Sequence, residues 1–185
     1  MRKILATAAL ATLSLGAVAL PASAGAPVNG SGTVSCNETG SIKFKPGLTI
    51  PGTGPATLAT KLTFAGCTGT GDGATIASGG GKGAASMSGN GCTDLQTSPP
   101  VTVTTIKWKG SKKLNTSVIT NTHNESDLTG ATLVLTNTGT ITGSFAGSTF
   151  TEHVTTSSTV ADLIAACGGK GLKGFTYSSG TFSIS

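Results

Sequence analysis

His123, Glu125 and Asp127, spaced by two, form the sharpest constellation for chemistry in the chain. Successive side chains on an extended strand alternate faces, so all three would project from one side and could share a metal ion. The stretch from Asn121 to Gly130 is nevertheless rich in turn formers, and a polar hairpin end outweighs a metal site there. The expectation is that His123 is not a ligand and that no metal or cofactor is held. The other histidine, His153, follows Glu152 and is expected on a solvated strand face.

Nucleophilic chemistry has less to work with. The chain contains no Gly-x-Ser-x-Gly elbow, and a serine triad would have to recruit His123 or His153 from opposite parts of the fold. Seven Asp and Glu residues could supply a carboxylate pair for glycoside hydrolysis, but none stands in an aromatic-rich context. The run Gly79-Gly80-Gly81-Lys82-Gly83 lacks the flanking Gly and Ser/Thr of a phosphate loop and reads as a flexible turn, the tip of a hairpin between Thr68 and Gly91. The expectation is a protein that is not an enzyme.

Lysines offer a binding alternative. Lys43 and Lys45 flank Phe44, while Lys107 and Lys109 flank Trp108. A ring directed into the core forces its neighbours outward on a pleated strand, so each pair displays two like charges. Lys61 also alternates with core-type residues, and Lys112-Lys113 extend the last pair into a turn. On adjacent strands the pairs would make a cationic face suited to an anionic cell-wall polymer. Lysines also keep exposed strands soluble, which is the competing explanation. Nucleic acid is not expected as a partner, because Arg2 is the only arginine and aromatic residues make up 4% of the chain.

The elements that must position these residues are strands. Between Cys36 and Cys67, Ile42 and Phe44 alternate with lysines, Pro46-Gly47 and Pro51 to Pro55 supply reversals, and Leu58, Leu62 and Phe64 alternate on the return. Placing Phe44 opposite Leu58 sets Ile42 against Thr60, and a one-residue bulge at Ala65-Gly66 then brings Cys67 to Cys36. Three pairings of the four cysteines are open; the favoured one joins Cys36 to Cys67 and Cys92 to Cys167.

Val101 to Trp108 reads as a strand with a bulge near Thr104-Thr105, because the parity of its apolar residues changes there. Strands follow over 116–123 and 132–138, then a meander through Ile141, Phe145, Phe150 and Val154. One helix is predicted, opened by a Thr159/Asp162 capping box and ended by Gly168-Gly169. Two closing strands, joined near Ser179-Gly180, carry Phe175, Tyr177, Phe182 and Ile184.

Residues 1–24 have the charges, apolar run and Ala22-Ser23-Ala24 site of a secretory signal peptide, leaving 25–185 as a single domain. A freely released protein without a membrane anchor, extracellular or associated with the cell wall, is expected. The net charge of +5 falls by two when Arg2 and Lys3 leave. Abundant Thr and Val with 28 glycines favour an all-β domain, an antiparallel sandwich or flattened barrel, with two disulfides and at most one short helix.

The order Cys92, Trp108, Cys167 is that of an immunoglobulin domain, but Ala165 stands at the corner-tyrosine position and a helix precedes the second cysteine. Pro46-Gly47-Leu48, Gly66-Cys67, Ile106-Lys107-Trp108 and the Gly143, Phe145, Gly147 turn together resemble a group of small exported actinobacterial proteins of unassigned function. The resemblance implies a compact β domain and no known activity. In composition and cysteine number the chain is also similar to exported actinomycete chromoprotein carriers, which hold an apolar ligand in a cleft. A cavity is the feature that would favour such a carrier.

Overall fold

A computed structural model describes residues 26–93 and 100–185; the leader expected over 1–24 lies outside them. The strands are β1 (Val34–Leu48), β2 (Ala56–Gly69), β3 (Ile76–Met87), β4 (Val103–Gly110), β5 (Ser117–Asp127), β6 (Thr132–Gly143), β7 (Thr149–Thr159) and β8 (Leu172–Ile184). Each pairs antiparallel with the next, and β8 returns to β1 through Val34↔Ile184 and Ile42↔Phe175. The result is a closed eight-stranded barrel, not a sandwich. A sandwich would leave free sheet edges, whereas the long, repeatedly bulged strands coil far enough to bring the last onto the first.

The first hairpin has the register that alternation dictates, Phe44↔Leu58 and Ile42↔Thr60. Its bulge sets Gly66 and Cys67 against Cys36, one residue later than expected; Gly66 takes the kink with φ 59°. The disulfides are Cys36–Cys67 and Cys92–Cys167, with Cα separations of 4.1 and 6.2 Å. Such staples belong to an oxidising, extracellular-type environment.

Three local expectations fail for one reason, that lateral pairing overrides local turn chemistry. The glycine run is no flexible turn: β3 passes straight through it, Gly79↔Trp108 on one side and Phe64↔Gly79 on the other. A Cβ at Gly79 would lie 2.9 Å from the Trp108 ring, so glycine here makes room for an inward neighbour. No bulge interrupts Thr104-Thr105; β4 runs in register from Val103 to Trp108 with Thr102, Thr104 and Ile106 buried and Val101 and Val103 exposed. Ser179-Gly180 is not a turn but part of an irregularity within the single strand β8.

The barrel has two unlike ends. At one, Phe64 and Phe150 pack on Phe182 with centroids 4.8 and 5.9 Å away, and Trp108 meets Phe145 edge-on at 6.1 Å. Trp108 Nε1 donates to Ser117 Oγ at 2.8 Å, and the Phe145 amide donates to Gly30 O, so the N-terminal segment crosses and closes this end. At the other end lies α1 (Val160–Gly168), which forms as expected. Its Thr159 hydroxyl accepts from the Asp162 amide at 3.1 Å, and Leu163 and Cys167 face inward. The Cys92–Cys167 bond ties this helix to the β3–β4 connection, far from Trp108, so the immunoglobulin-like order of these residues is not an immunoglobulin core.

On the chain-entropy model the two disulfides contribute at most roughly 4 and 4.5 kcal/mol, in chain order. Urea titration of the paired Cys92→Ser, Cys167→Ser variant is expected to show a loss of roughly 2–4 kcal/mol. A loss below about 1 kcal/mol would mean that the helix end of the barrel is not held by its staple.

Candidate functional site

Alternation along eight strands leaves the lumen with whatever the inward positions carry. Near the closed end they carry rings, and the space is filled. Toward α1 the inward face of β3 is Gly81 and Gly83, and its neighbours across the ladder at Gly83 are only the hydroxyls of Thr60 and Thr104. A cavity of about 370 Å³ results, room for roughly a dozen waters at about 30 Å³ each and within the range of small-molecule sites.

Its walls are mostly apolar. Phe44 and Phe175, 6.0 Å apart, form one side; Leu58, Leu135 and Val154 contribute to others. Leu163 and Cys167 of α1 close over it, while Ile50 and Ile164 line it and are also 55% and 59% exposed, which marks the mouth. The interlocked backbone bonds Thr49 N to Asn90 O, Cys92 N to Thr49 O and Ile50 N to Cys167 O hold that rim together.

Polar groups also line the cavity. Glu152 on β7 and Tyr177 on β8 line the cavity with Asn121 and Asn137. Asn137 Nδ2 donates to Glu152 Oε2 at 2.8 Å, and Asn121 Nδ2 donates to Asn124 Oδ1 at 2.9 Å. Beside Glu152, Glu38 on β1 is 1% exposed and neither of its carboxyl oxygens has a hydrogen-bond partner. The Thr60 hydroxyl in the cavity wall is also unpartnered.

Burial pushes the Glu38 carboxyl up to about 11, and the charge and contact of Glu152 push it the same way. Glu38 is therefore a neutral acid at pH 7. The Tyr177 phenol is pushed well above its ordinary value, first by burial and then by the charges of Glu152 and Glu38. Cations do not relieve these groups, since every described lysine and both histidines are exposed.

Of the expected site residues, Glu125 is exposed yet borders the cavity, and the others lie on the outside. β5 continues to Asp127, so His123, Glu125 and Asp127 sit on a strand and not in a loop. All three are exposed, and among the described residues no three His, Cys, Asp or Glu side chains gather in a metal-holding group. Asp127 Oδ1 instead accepts from the amide and hydroxyl of Thr129 at 2.8 and 2.7 Å, which holds its carboxyl below the usual range. His153 is exposed beside the Thr136 hydroxyl, 3.0 Å from Nδ1. The two histidines are not on opposite parts of the fold: β5 and β7 flank β6, with His123↔Thr138 and Thr136↔His153.

Lys43, Lys45, Lys107 and Lys109 all point outward, but β1 and β4 are not adjacent. Lys61 and Lys82, directly opposed on β2 and β3, bridge the gap. The pairings Lys43↔Ala59, Ser41↔Lys61, Lys82↔Thr105 and Gly80↔Lys107 place the six lysines on one diagonal. Lys61 and Lys82 are one strand spacing apart, about 5 Å, while the steps from Lys43 to Lys61 and from Lys82 to Lys107 are diagonals of about 8 Å. Lys173 of β8 joins at the Lys43 end in a shallow depression. Lys112 is tied to Asp72 at 2.6 Å and does not extend the band into the turn.

The buried acids were the residues that sequence reasoning passed over, although a signal existed. Glu38 shares parity with Val34, Cys36 and Phe44, and Glu152 sits between Phe150 and Val154, so alternation puts both carboxyls on the apolar face. Comparison with protein-family models, curated proteins and solved structures finds no match to the chain.

Protonated in the fold and ionised in the unfolded chain above its ordinary value of 4.5, Glu38 makes the native state hold one proton more than the unfolded state. Its contribution to stability is complete below about pH 4.5 and is lost as pH rises toward 11, by at most about 1.4 kcal/mol per pH unit. Unfolding free energy measured from pH 5 to 8 is expected to fall in wild type and to run flatter in Glu38→Gln. Parallel curves would show that Glu38 ionises in the folded barrel at ordinary pH.

Proposed function

We propose that this protein is a non-enzymatic carrier, exported from the cell, which holds one small and largely apolar molecule inside the barrel. The observation that carries the reading is the cavity of about 370 Å³ between the aromatic plug and α1. Interiors are close-packed as a rule, and a void of this size loses the dispersion contacts its lining would otherwise make. Phe44, Leu58 and Phe175 supply wall, the exposed Ile50 and Ile164 supply an entrance, and the Cys92–Cys167 staple keeps the rim in place. Export is supported by the leader-like residues 1–24, by the two disulfides and by the motif likeness to exported actinobacterial proteins.

The neutral apolar dye N-phenylnaphthylamine, added to the folded mature chain, is expected to bind at one equivalent with blue-shifted emission. Thr104→Phe, which directs a ring into the lumen beside Gly83, is expected to weaken it at least about tenfold, a loss of ~1.4 kcal/mol. Absence of saturable binding to the folded protein rejects carriage.

A second reading concerns the outer surface, where the diagonal from Lys45 to Lys109 supports attachment to an anionic polymer of the cell wall. Directly opposed like charges such as Lys61↔Lys82 destabilise a sheet by a few tenths of a kcal/mol or more, roughly. The band is therefore a feature that folding alone does not favour. Changing Lys43, Lys45, Lys107 and Lys109 together to Gln is expected to advance elution from heparin at low ionic strength, with no effect on dye binding. Equal elution of two folded proteins leaves solubility as the role of these lysines.

A further inference from the structure

We propose that the molecule held in the cavity carries a protonated amine, seated against the carboxyl of Glu152, with Glu38 buried behind it. This rests on the carrier reading and names the chemistry of what is carried. Glu152 lines the cavity with Oε2 fixed by Asn137, which orients the carboxyl. Behind it, Glu38 is 1% exposed with both oxygens unpartnered, a state that protein interiors rarely leave uncompensated. Two carboxyls interacting without a cation between them form half of an ion-pair site. Around them are Tyr177 on β8, Asn137 on β6 and the apolar side chains of the wall; the lysines and histidines of the described chain all lie outside.

Ligand classes separate on this geometry. A carboxylate, as on a fatty acid, would bring a further negative charge toward Glu152 in a poorly solvated lumen and be repelled. An alcohol can donate one hydrogen bond to the pair but leaves its charge uncompensated. An ammonium group donates up to three hydrogen bonds and supplies the missing charge, and charge-assisted bonds of this type are about twice as strong as neutral ones. The hydrocarbon or aromatic remainder then lies against Phe44, Phe175 and Leu58 toward the mouth.

The test uses matched sets that differ only in the polar end: octylamine, octanol and octanoate, and phenethylamine with phenylethanol. Titration calorimetry at pH 7 on the mature chain is expected to rank amine over alcohol by at least about tenfold, with octanoate weakest. In Glu152→Gln the amine is expected to fall to the level of its alcohol, while the alcohol changes by less than about threefold. Glu38→Gln, which keeps a carboxyl-sized neutral group behind Glu152, should reduce the preference less. Alcohols that bind as tightly as the amines in wild type would overturn the amine inference and leave the carrier standing. So would an amine preference surviving in both variants. If no member of either set binds the folded wild type, the carrier reading falls and the amine with it.

Discussion

Closure of the β8–β1 ladder is the constraint on which the other features depend. Once Ile42 pairs with Phe175 and Val34 with Ile184, the sheet closes on itself, with its shortest ladder between β4 and β5, and encloses a lumen. Eight strands enclose a space that side chains can just fill, or that can hold one small molecule when they do not. The choice between filling and holding is then made by the size of inward residues. Rings from Phe64, Trp108, Phe150 and Phe182 fill one half; Gly81, Gly83 and the hydroxyls of Thr60 and Thr104 leave the other half open.

The same closure explains why the interior tolerates two acids. Glu38 and Glu152 stand at the boundary between the packed and open halves, and each is destabilising by itself in a poorly solvated place. The aromatic plug with Cys36–Cys67 on one side of that boundary, and Cys92–Cys167 on the other, supply stability that the polar layer does not. A strained or unsatisfied layer sustained by the structure around it is the usual mark of a binding site. The turn residue Phe145 fits this division: its φ of 66° is the only positive value among the described non-glycine residues, and it lies at the plugged end, where it inserts a ring beneath Gly30. There the strained backbone serves packing.

Outside, period-two alternation sorts chemistry with equal rigour. The two acids Glu38 and Glu152 are buried within the barrel, while every described lysine is exposed outside it. Neutral Glu38 adds to the imbalance, because one of the chain's acids carries no charge at pH 7. The net positive surface and the acidic lumen recognise different partners, and neither needs the other's residues.

Much of this was legible in the linear chain. The parity of Ile42, Phe44, Leu58 and Leu62, together with the turn residues between them, determined the first hairpin and its register. The hairpin register with one bulge favoured Cys36–Cys67 and so the remaining pair Cys92–Cys167, and Thr159 with Asp162 marked the helix. These are local quantities, set by neighbours in sequence. What only the tertiary structure decided were the quantities that depend on strands distant in sequence: barrel against sandwich, the extension of Gly79 to Gly83, the inward threonines of β4, and the meeting of Glu38 with Glu152. A glycine run has no side chains to declare a face, so its conformation comes from Phe64 and Trp108 on either side. Alternation assigns Glu38 and Glu152 to the interior separately, but only the β8–β1 ladder places β1 and β7 on the two flanks of one strand and so makes the two acids a pair.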